Sequence, residues 1–423
     1  MLRLSAALPA ILLLITSNLF ADFVVTSLDT GPQRGISLAL AGGKLTLTTS
    51  TGTAIRSDAS RVIEIMVLPA RAAPPERLWP FEVELRDGTR LRGELSRGRT
   101  QELRVRCPSL KEEQELSLDD VLAIRRVSGA KIPGSARLVR IPEKDAAYTL
   151  VGTRYEGTIA EFNATGIKIK RERGLKEKSI PYSKLAAIFI ENDPHEHKPG
   201  LQLVARMTDG SSLRLVGDFR ISSGELIGTT ALGAKLRAPL DRVVAIGFRG
   251  GSFEYVSDLT PVKTLRRPFF PVPDGAARDV YLDFVAPIRI DRSPDGRTIT
   301  LFRRTYSKGI GVRPRTELTY TLDGAFREFR AVCGIDDEVL GPGYGKAGGL
   351  GSVVFTVEVD GKARYVSKPM RGRMKPAYVK VDVTGAKRLK LVVTRVPKEQ
   401  MPNNAEDSSE LDNAVWAQPL LVR

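Results

Sequence analysis

The stretch that shows the fold most clearly is Phe81-Glu-Val-Glu-Leu-Arg-Asp-Gly-Thr-Arg-Leu-Arg-Gly-Glu-Leu95. Apolar and polar residues alternate along it, which is the period of a strand with one buried face. Asp87-Gly88 interrupts the alternation, and this dipeptide tolerates the positive φ angles of a two-residue hairpin. Further strands are expected at Leu103–Arg106 and at Val121–Ile124. The stretch therefore predicts a small antiparallel unit of short strands.

The same pattern occurs four times between Asp22 and about Gly250. The copies end in similar apolar runs, Val62-Ile-Glu-Ile65, Val121-Leu-Ala-Ile124, Leu185-Ala-Ala-Ile188 and Val243-Val-Ala-Ile246. The closing isoleucines are 59, 64 and 58 residues apart. A glycine precedes the closing isoleucine by 30 or 31 residues in the first three copies (Gly35, Gly93 and Gly157), whereas the fourth copy has Leu215 there. This regularity predicts tandem units, and the glycine is expected to let a strand bend or bulge.

Each copy resembles a small SH3-like or Sm-like barrel in its pattern only. We expect the four units at residues 22–68, 79–128, 145–192 and 200–250. Strands this short bury a core either by curling on themselves or by pairing with a neighbouring unit. Sm-like proteins read RNA with an Arg-Gly turn before the last strand. None of the four copies has that turn, so no nucleic acid is expected as a partner.

The first 21 residues predict export. Arg3 is followed by the apolar run Leu8–Ile15, and the segment Asn18–Ala21 ends on a small residue suited to cleavage. The apolar run is shorter than the roughly 20 residues of a membrane helix. We therefore expect a signal peptide at residues 1–21 and an exported, periplasmic or extracellular protein that is not an integral membrane protein. An uncleaved N-terminal anchor is the alternative.

Charge and rare residues narrow the function classes. The chain has 65 Lys and Arg against 49 Asp and Glu, a net charge of +16 without a basic tail. This excess indicates either a solvated basic surface or attraction to an anionic polymer or cell surface. The only two histidines, His195 and His197, lie in a proline-flanked loop, so histidine-based nucleophilic catalysis has no evident base. Cys107 and Cys333 lie in different predicted domains, which disfavours a disulfide between them.

The sequence changes character from Ser252 onward. Strand-like runs are separated there by loops rich in Gly, Asp and Pro, which predicts an antiparallel sandwich or jelly roll. The runs are Val280–Phe284, Thr298–Leu301, Glu317–Leu322, Glu328–Gly334, Val353–Val359, Tyr378–Asp382 and Leu389–Thr394.

These C-terminal residues resemble a known family. The resembling segments, in order, are Tyr255–Pro261, Tyr306-Ser-Lys-Gly-Ile-Gly-Val312, Glu317–Gly324, Phe329–Glu338, Gly351–Val357 and Val381–Leu389. Together they resemble the NPCBM family, the "novel putative carbohydrate-binding module", over residues 252–423. The resemblance implies a galactose-binding-like β-sandwich. Some members bind galactose-containing glycans, and the domain often accompanies glycoside hydrolases or other exported proteins.

The sequence departs from the family pattern at three places. Arg313 stands where the family commonly has a histidine, which keeps hydrogen-bond donors but adds a fixed charge. In the segment Asp412-Asn-Ala-Val-Trp-Ala-Gln-Pro419, Val415 replaces an acidic residue before the tryptophan. The insertion Leu340–Gly349 lengthens the loop after the acidic residues.

Sugar recognition needs an aromatic face for the ring and charged or amide groups for the hydroxyls. The loop residues of these types are Arg313, Asp336, Asp337, Glu338, Tyr344, Asn413 and Trp416. Several alternatives stay open: Trp416 can be a core residue, Arg313 a structural ion-pair partner, and the three acidic residues a turn that caps a strand end. The same three carboxylates are also candidate ligands for a structural Ca²⁺, the one cofactor that the sequence suggests.

The sequence thus predicts an all-β chain, in which tandem small barrel-like units precede a galactose-binding-like sandwich. Its predicted function is non-catalytic binding of a galactose-type or other cell-surface or environmental glycan. A glycosidase is disfavoured because Asp337 and Glu338 are adjacent and would point to opposite faces of a strand. The alternative function is an exported scaffold or adhesin, in which the repeats bind protein partners and the sandwich has no sugar site.

Overall fold

A computed structural model describes residues 22–68, 80–97, 101–127, 138, 140–141, 143–171, 177–195, 200–268, 271–275, 278–340, 352–396 and 412–423. The predicted signal peptide lies outside these residues. The chain forms two compact units, residues 1–248 and 249–423. Within the described ranges, no helix has both the length and the apolar character needed to cross a membrane.

The N-terminal unit is built from short antiparallel strands, 21 of them among the residues that the structure describes. They are β1 Asp22–Ser27, β2 Gln33–Gly35, β3 Ser37–Ala41, β4 Lys44–Thr48, β5 Ala54–Asp58, β6 Val62–Leu68, β7 Phe81–Leu85, β8 Arg90–Arg97, β9 Glu102–Arg106, β10 Gln114–Ser117, β11 Val121–Arg126, β12 Asp145–Thr149, β13 Arg154–Phe162, β14 Gly166–Lys170, β15 Lys178–Pro181, β16 Leu185–Phe189, β17 Gln202–Met207, β18 Ser212–Ser222, β19 Glu225–Thr229, β20 Lys235–Pro239 and β21 Val243–Arg249.

All four copies share one topology. The strands follow one another as a meander, and the closing strand returns to pair with the first strand of its copy: β6 with β1, β11 with β7, β16 with β12 and β21 with β17. A single 3-10 turn precedes each closing strand, at Ala59–Arg61, Leu118–Asp120, Tyr182–Lys184 and Leu240–Arg242. The four predicted closing runs are confirmed, and so is a hairpin around Asp87-Gly88. Its loop is longer than the two residues predicted, because β7 ends at Leu85 and β8 begins at Arg90, and of the two turn residues only Gly88 has positive φ, +83°.

The repeated glycine marks the point where a strand changes partner. In the second copy, β8 pairs with β7 through Gly93 and with β9 from Glu94 onward. A Cβ at Gly93 would lie 2.5 Å from the backbone oxygen of Arg106, so no side chain fits there. The predicted bend is therefore a sheet-to-sheet crossing, as the corner of a small curved sheet requires.

In the fourth copy the large and the small residue at the crossing have exchanged strands. Leu215 stands at the glycine position on β18, and the glycine lies on the facing strand β19. A Cβ at Gly228 would be 2.8 Å from Cδ1 of Leu215. One small residue at the crossing is thus kept in this copy, although it has moved to the other strand.

The copies pair with one another through their strands, so the four repeats are not separate, independent domains. Closing strands β6 and β21 place Ile65 opposite Ile246, and β11 and β16 place Ile124 opposite Ile188. All four isoleucines are fully buried in one apolar core that includes residues from every copy. The first copy is therefore joined to the fourth, and the second to the third.

The C-terminal unit is a β-sandwich with one short helix among its described residues. Its elements are β22 Phe253–Tyr255, β23 Lys263–Arg266, α1 Arg278–Val285, β24 Ile288–Ile290, β25 Ile299–Leu301, β26 Arg304–Tyr306, β27 Gly309–Val312, β28 Thr316–Thr321, β29 Glu328–Ile335, β30 Ser352–Val359, β31 Lys362–Val366, β32 Met370–Arg371, β33 Ala377–Asp382, β34 Arg388–Arg395 and β35 Ala414–Val422.

Two six-stranded antiparallel sheets enclose the C-terminal core. One runs β24-β27-β35-β29-β33 with β22 on β35, and the other runs β23-β28-β34-β30-β31 with β32 on β30. Trp416 lies between them, with its ring centroid 4.9 Å from that of Phe355 in an edge-to-face contact. The hairpin β25–β26 covers the outer face of the first sheet through the buried residues Ile299, Leu301, Tyr306, Val332, Val415 and Ala417. The predicted sandwich is confirmed.

One predicted strand is wrong. The run Val280–Phe284 lies in helix α1, where only Leu282 is buried, while Val280 and Phe284 are 67% and 79% exposed. Three apolar residues at alternate positions suggest a half-buried strand, but such a short run lacks the length to separate a strand from a helix. The other six predicted strands of this unit are confirmed within one or two residues.

Candidate functional site

Five of the seven candidate residues gather at one end of the sandwich. Strands β27 and β29 both run antiparallel to β35, and Val312 and Ile335 both pair with Ala414. The residues that follow β27 and β29 and the residue that precedes β35 therefore meet at the same edge. This places Arg313, Asp336, Asp337, Glu338 and Asn413 close together.

Glu338 is the hub of a buried hydrogen-bond network. Its Oε2 accepts from Ser293 Oγ at 2.5 Å, and its Oε1 accepts from Asn413 Nδ2 at 2.8 Å and from the backbone N–H of Asp295 at 3.3 Å. Burial raises the pKa of the Glu338 carboxyl above its usual range. We refer to Ser293, Asp295, Arg313, Glu338 and Asn413 as the rim cluster.

Arg313 and Asp295 form the solvent-accessible part of the rim cluster. Arg313 Nη2 lies 3.2 Å from Asp295 Oδ1, and Nη1 donates to the backbone oxygen of Val285 at 3.4 Å. The Arg313 and Asp295 side chains are 23% and 21% exposed. Within the described residues, Arg313 Nε and Asn413 Oδ1 are buried and have no hydrogen-bond partner. The cluster thus offers a charged donor and acceptor to the surface above polar groups that the protein does not fully satisfy.

Asp336 ties the hairpin β25–β26 to the sheet. Its carboxylate accepts the backbone N–H groups of Thr300 at 2.9 Å and Glu338 at 3.0 Å, and its own N–H donates to the backbone oxygen of Asn413 at 2.8 Å. The side chain is almost fully buried. Burial raises the pKa of Asp336 to about 7, because desolvation outweighs the two hydrogen bonds that favour the ionised form.

Asp337 holds the tip of the same hairpin. Its two carboxylate oxygens accept the backbone N–H groups of Phe302 at 3.1 Å and Arg303 at 2.6 Å. These two residues form the loop between β25 and β26, and both have positive φ, +49° and +66°. Phe302 is 50% exposed. Asp336 and Asp337 therefore bind backbone N–H groups of this hairpin, whereas Glu338 does not, and together the two aspartates organise a tip that the sequence pattern did not reveal.

The two remaining candidates have different outcomes. Trp416 is 1% exposed and packs between the sheets, so its ring offers no free face to a saccharide. It is a core residue, which was the alternative interpretation of this tryptophan. Tyr344, in the predicted insertion, lies outside the described residues.

The carboxylates of Asp336 and Asp337 are already engaged by the protein. Each of their oxygens accepts one backbone N–H group, which takes up part of the acceptor capacity that a Ca²⁺ ion would use. Across the part of the chain that the structure describes, no group of three or more His, Cys, Asp or Glu side chains could hold a metal ion. Calcium binding stays an untested prediction.

Lys308 is a structural residue whose role sequence reasoning missed. It is 9% exposed in its side chain, and its Nζ donates to Asp258 at 2.7 Å and to Asp291. The ammonium also lies 5.4 Å from the centre of the Tyr255 ring. Its place in the Lys-Gly-Ile-Gly-Val segment is therefore explained by a buried ion-pair network that joins three loops.

Comparison with protein families supports the sequence-based assignment of this unit. Residues 278–422 match the family model of the NPCBM/NEW2 domain. The expected NPCBM-like C-terminal domain is thus confirmed over this range. No curated protein sequence matches the chain.

Solved structures with similar folds include CBM51 modules. The CBM51 of a Clostridium perfringens GH95 protein, in complex with methyl-galactose, is 26% identical; the match covers 40% of this chain and 99% of that one, with a TM-score of 0.30. The CBM51-2 and INT domains of Clostridium perfringens ZmpB, with GlcNAc, are 22% identical over 48% of this chain and 39% of that one, with a TM-score of 0.31. The tandem CBM51 modules of a Streptococcus pneumoniae SP3-BS71 family 98 glycoside hydrolase are 12% identical over 89% and 87%, with a TM-score of 0.29.

Proposed function

We propose that the C-terminal unit is a non-catalytic carbohydrate-binding module that holds a glycan at the rim cluster. The NPCBM/NEW2 match gives the class of domain, and the resemblance to that family gives galactose-type glycans as the expected ligands. The observation that carries the choice of site is the partly exposed Arg313–Asp295 pair, together with the buried Arg313 Nε and Asn413 Oδ1, which have no hydrogen-bond partner among the described residues.

The chemistry of this pair suits a sugar. Neighbouring hydroxyls of a pyranose each donate and accept hydrogen bonds, and a guanidinium beside a carboxylate supplies a donor and an acceptor 3.2 Å apart. Hydrogen bonds to charged groups are about twice as strong as those between neutral groups. Because Asp295 and Glu338 are themselves held by backbone and side-chain partners, the pair is oriented before a ligand arrives.

The same contacts argue against hydrolysis at this place. A glycosidase needs two carboxylates free to act in a cleft, roughly 5 to 9 Å apart. Asp336 and Asp337 each accept two backbone N–H groups, and Glu338 accepts three hydrogen bonds while almost fully buried. These carboxylates are therefore occupied in holding loops, which is the reason that we infer binding without catalysis.

Export is part of the proposal. Its support is the segment of residues 1–21, with Arg3, the apolar run Leu8–Ile15 and a small residue at position 21. An exported chain with a net charge of +16 would meet environmental or cell-surface glycans, including acidic ones.

The test is a titration of the whole chain with methyl-galactoside, followed by a glycan array, before and after Arg313→Ala. We expect Arg313→Ala to weaken binding at least tenfold with an unchanged thermal midpoint. Arg330→Ala is the matched control, because Arg330 is also a partly exposed, ion-paired arginine of this unit, bound to Glu328 on the neighbouring part of β29.

Equal affinity of parent and Arg313→Ala would remove the rim cluster from the site. A parent chain that binds no glycan on the array would refute the proposed function and favour the scaffold alternative. Release of reducing ends from any bound glycan would contradict the absence of catalysis.

A further inference from the structure

The tip of hairpin β25–β26 has residues that its backbone does not favour. Leu301 pairs with Arg304, which leaves Phe302-Arg303 as a two-residue loop, and both residues have positive φ. Such loops favour Asn-Gly or Asp-Gly, because a bulky side chain in the left-handed region is strained. A phenylalanine there is an outlier of the kind that often marks a functional position.

The surrounding structure holds this strained tip in place. Asp337 accepts both loop N–H groups, at 3.1 and 2.6 Å, and Asp336 accepts the N–H of Thr300 at the base. The hairpin strands are anchored on the sheet by Ile299, Leu301 and Tyr306, all of them buried. Phe302 nevertheless remains half exposed, so its ring is presented on a rigid support and is not used to fill the core.

The tip and the rim cluster are held by consecutive residues. Asp337 binds the tip, and Glu338 binds Ser293, the backbone of Asp295 and Asn413. The 3-10 turn Asp337–Leu340 therefore holds both the backbone of the tip that carries Phe302 and the backbone of Asp295, whose carboxylate pairs with Arg313. A sugar ring has an apolar C–H face as well as hydroxyls, and the rim cluster by itself supplies only the polar contacts.

We infer that Phe302 is the apolar contact of the glycan site, packing against the C–H face of a pyranose ring whose hydroxyls bind Arg313 and Asp295, with Asp337 as its positioning residue. This inference rests on the proposed function. It names a pyranose with one open C–H face as the ligand class, in which galactosides are included.

The test compares methyl-galactoside affinity and thermal midpoint in the whole chain. Phe302→Gly removes the ring and also relieves the positive φ, so we expect binding to fall at least tenfold while the midpoint is unchanged or higher. Phe302→Trp keeps an aromatic face, so affinity should stay within about threefold of the parent, which is less than 1 kcal/mol of binding free energy. The fluorescence of the added tryptophan should change on saturation with ligand, measured as the difference from the parent chain, which already contains Trp79 and Trp416.

Two further variants separate a binding role from a structural one. Asp323, in the turn that follows β28, also has a positive φ, +49°. Asp323→Gly therefore relieves a similar backbone strain away from the site and should leave the affinity unchanged. Asp337→Ala should weaken binding in the parent but add no further loss to Phe302→Gly, because both changes remove the same contact.

The outcomes are distinguishable. This inference alone is overturned if the parent binds methyl-galactoside, Arg313→Ala weakens that binding, and Phe302→Gly leaves the affinity unchanged. A fully additive loss in the Phe302→Gly, Asp337→Ala double variant also overturns it, because Asp337 would then act on binding by another route. A parent that binds no glycan overturns the inference together with the proposed function.

Discussion

The glycines of the N-terminal unit allow a prediction in which two effects of adding a Cβ are separated: backbone strain at a positive φ, and steric overlap with neighbouring atoms. At Gly31 an added Cβ meets nothing, and the backbone is in an ordinary region. Gly224 also has open space but a φ of +75°. Gly93 has an ordinary φ, yet its Cβ would lie 2.5 Å from a backbone oxygen. Gly157 combines both problems, with φ +152° and a backbone oxygen at 1.9 Å.

These four positions give four expected losses of unfolding free energy on substitution by alanine. Gly31→Ala should change it by no more than about 0.5 kcal/mol, the range of an ordinary surface change. Gly224→Ala should cost about 1 kcal/mol. The left-handed conformation costs an L residue about 1–2 kcal/mol, and the lower conformational entropy of the unfolded alanine variant offsets part of this cost. Gly93→Ala should cost about 1–3 kcal/mol through overpacking. Gly157→Ala should cost about 3–5 kcal/mol, since both effects act at once.

The measurement is urea denaturation of the full chain followed by hydrogen exchange of peptides from the two units. Only peptides of the N-terminal unit should lose protection, and those of residues 249–423 serve as the internal reference. If Gly93→Ala were no more destabilising than Gly31→Ala, the strand crossing would not need a glycine. The account of the repeated glycine would then be refuted.

Two more predictions concern the C-terminal unit. Lys308→Met should destabilise it by about 2–4 kcal/mol, measured by urea denaturation, because Asp258 and Asp291 would lose a buried cation; a loss below about 1 kcal/mol would contradict the structural role of this network. Burial raises the pKa of Asp336 to about 7 and that of Asp412 to about 6. The folded unit therefore binds protons that the unfolded chain does not, so its free energy of unfolding should rise as the pH falls from about 7 to 5, by at most about 1.4 kcal/mol per pH unit for each group. A flat profile over that range would disprove the raised pKa values.

Much of the fold could be predicted because it depends on local patterns. The Asp87-Gly88 turn, the alternation around it and the four closing runs all express the two-residue period of a strand. The pairing of Ile65 with Ile246 could not be predicted, since equivalent apolar runs in four copies give no indication of which run pairs with which. The helix Arg278–Val285 was missed for a related reason: three alternating apolar residues look like a strand unless burial is known.

The candidate site could be predicted in its location but not in its chemistry. The sequence selected residues at the ends of β27 and β29 and at the start of β35, and antiparallel pairing brings those ends together. It could not tell which carboxylates are consumed by backbone N–H groups, because those donors come from the distant hairpin β25–β26. Phe302 was overlooked because Phe-Arg is not a recognised hairpin loop, although an aromatic residue in such a short turn is itself a usable signal.

The nested pairing of the repeats has a consequence for how the protein is made. During synthesis the second and third copies can join as soon as both have left the ribosome. The first copy has to wait with one edge of β6 uncovered until β21, the final strand of the array, is complete. An unpaired strand edge is a site for wrong association, so the first copy is exposed to aggregation through β6 until the fourth copy emerges.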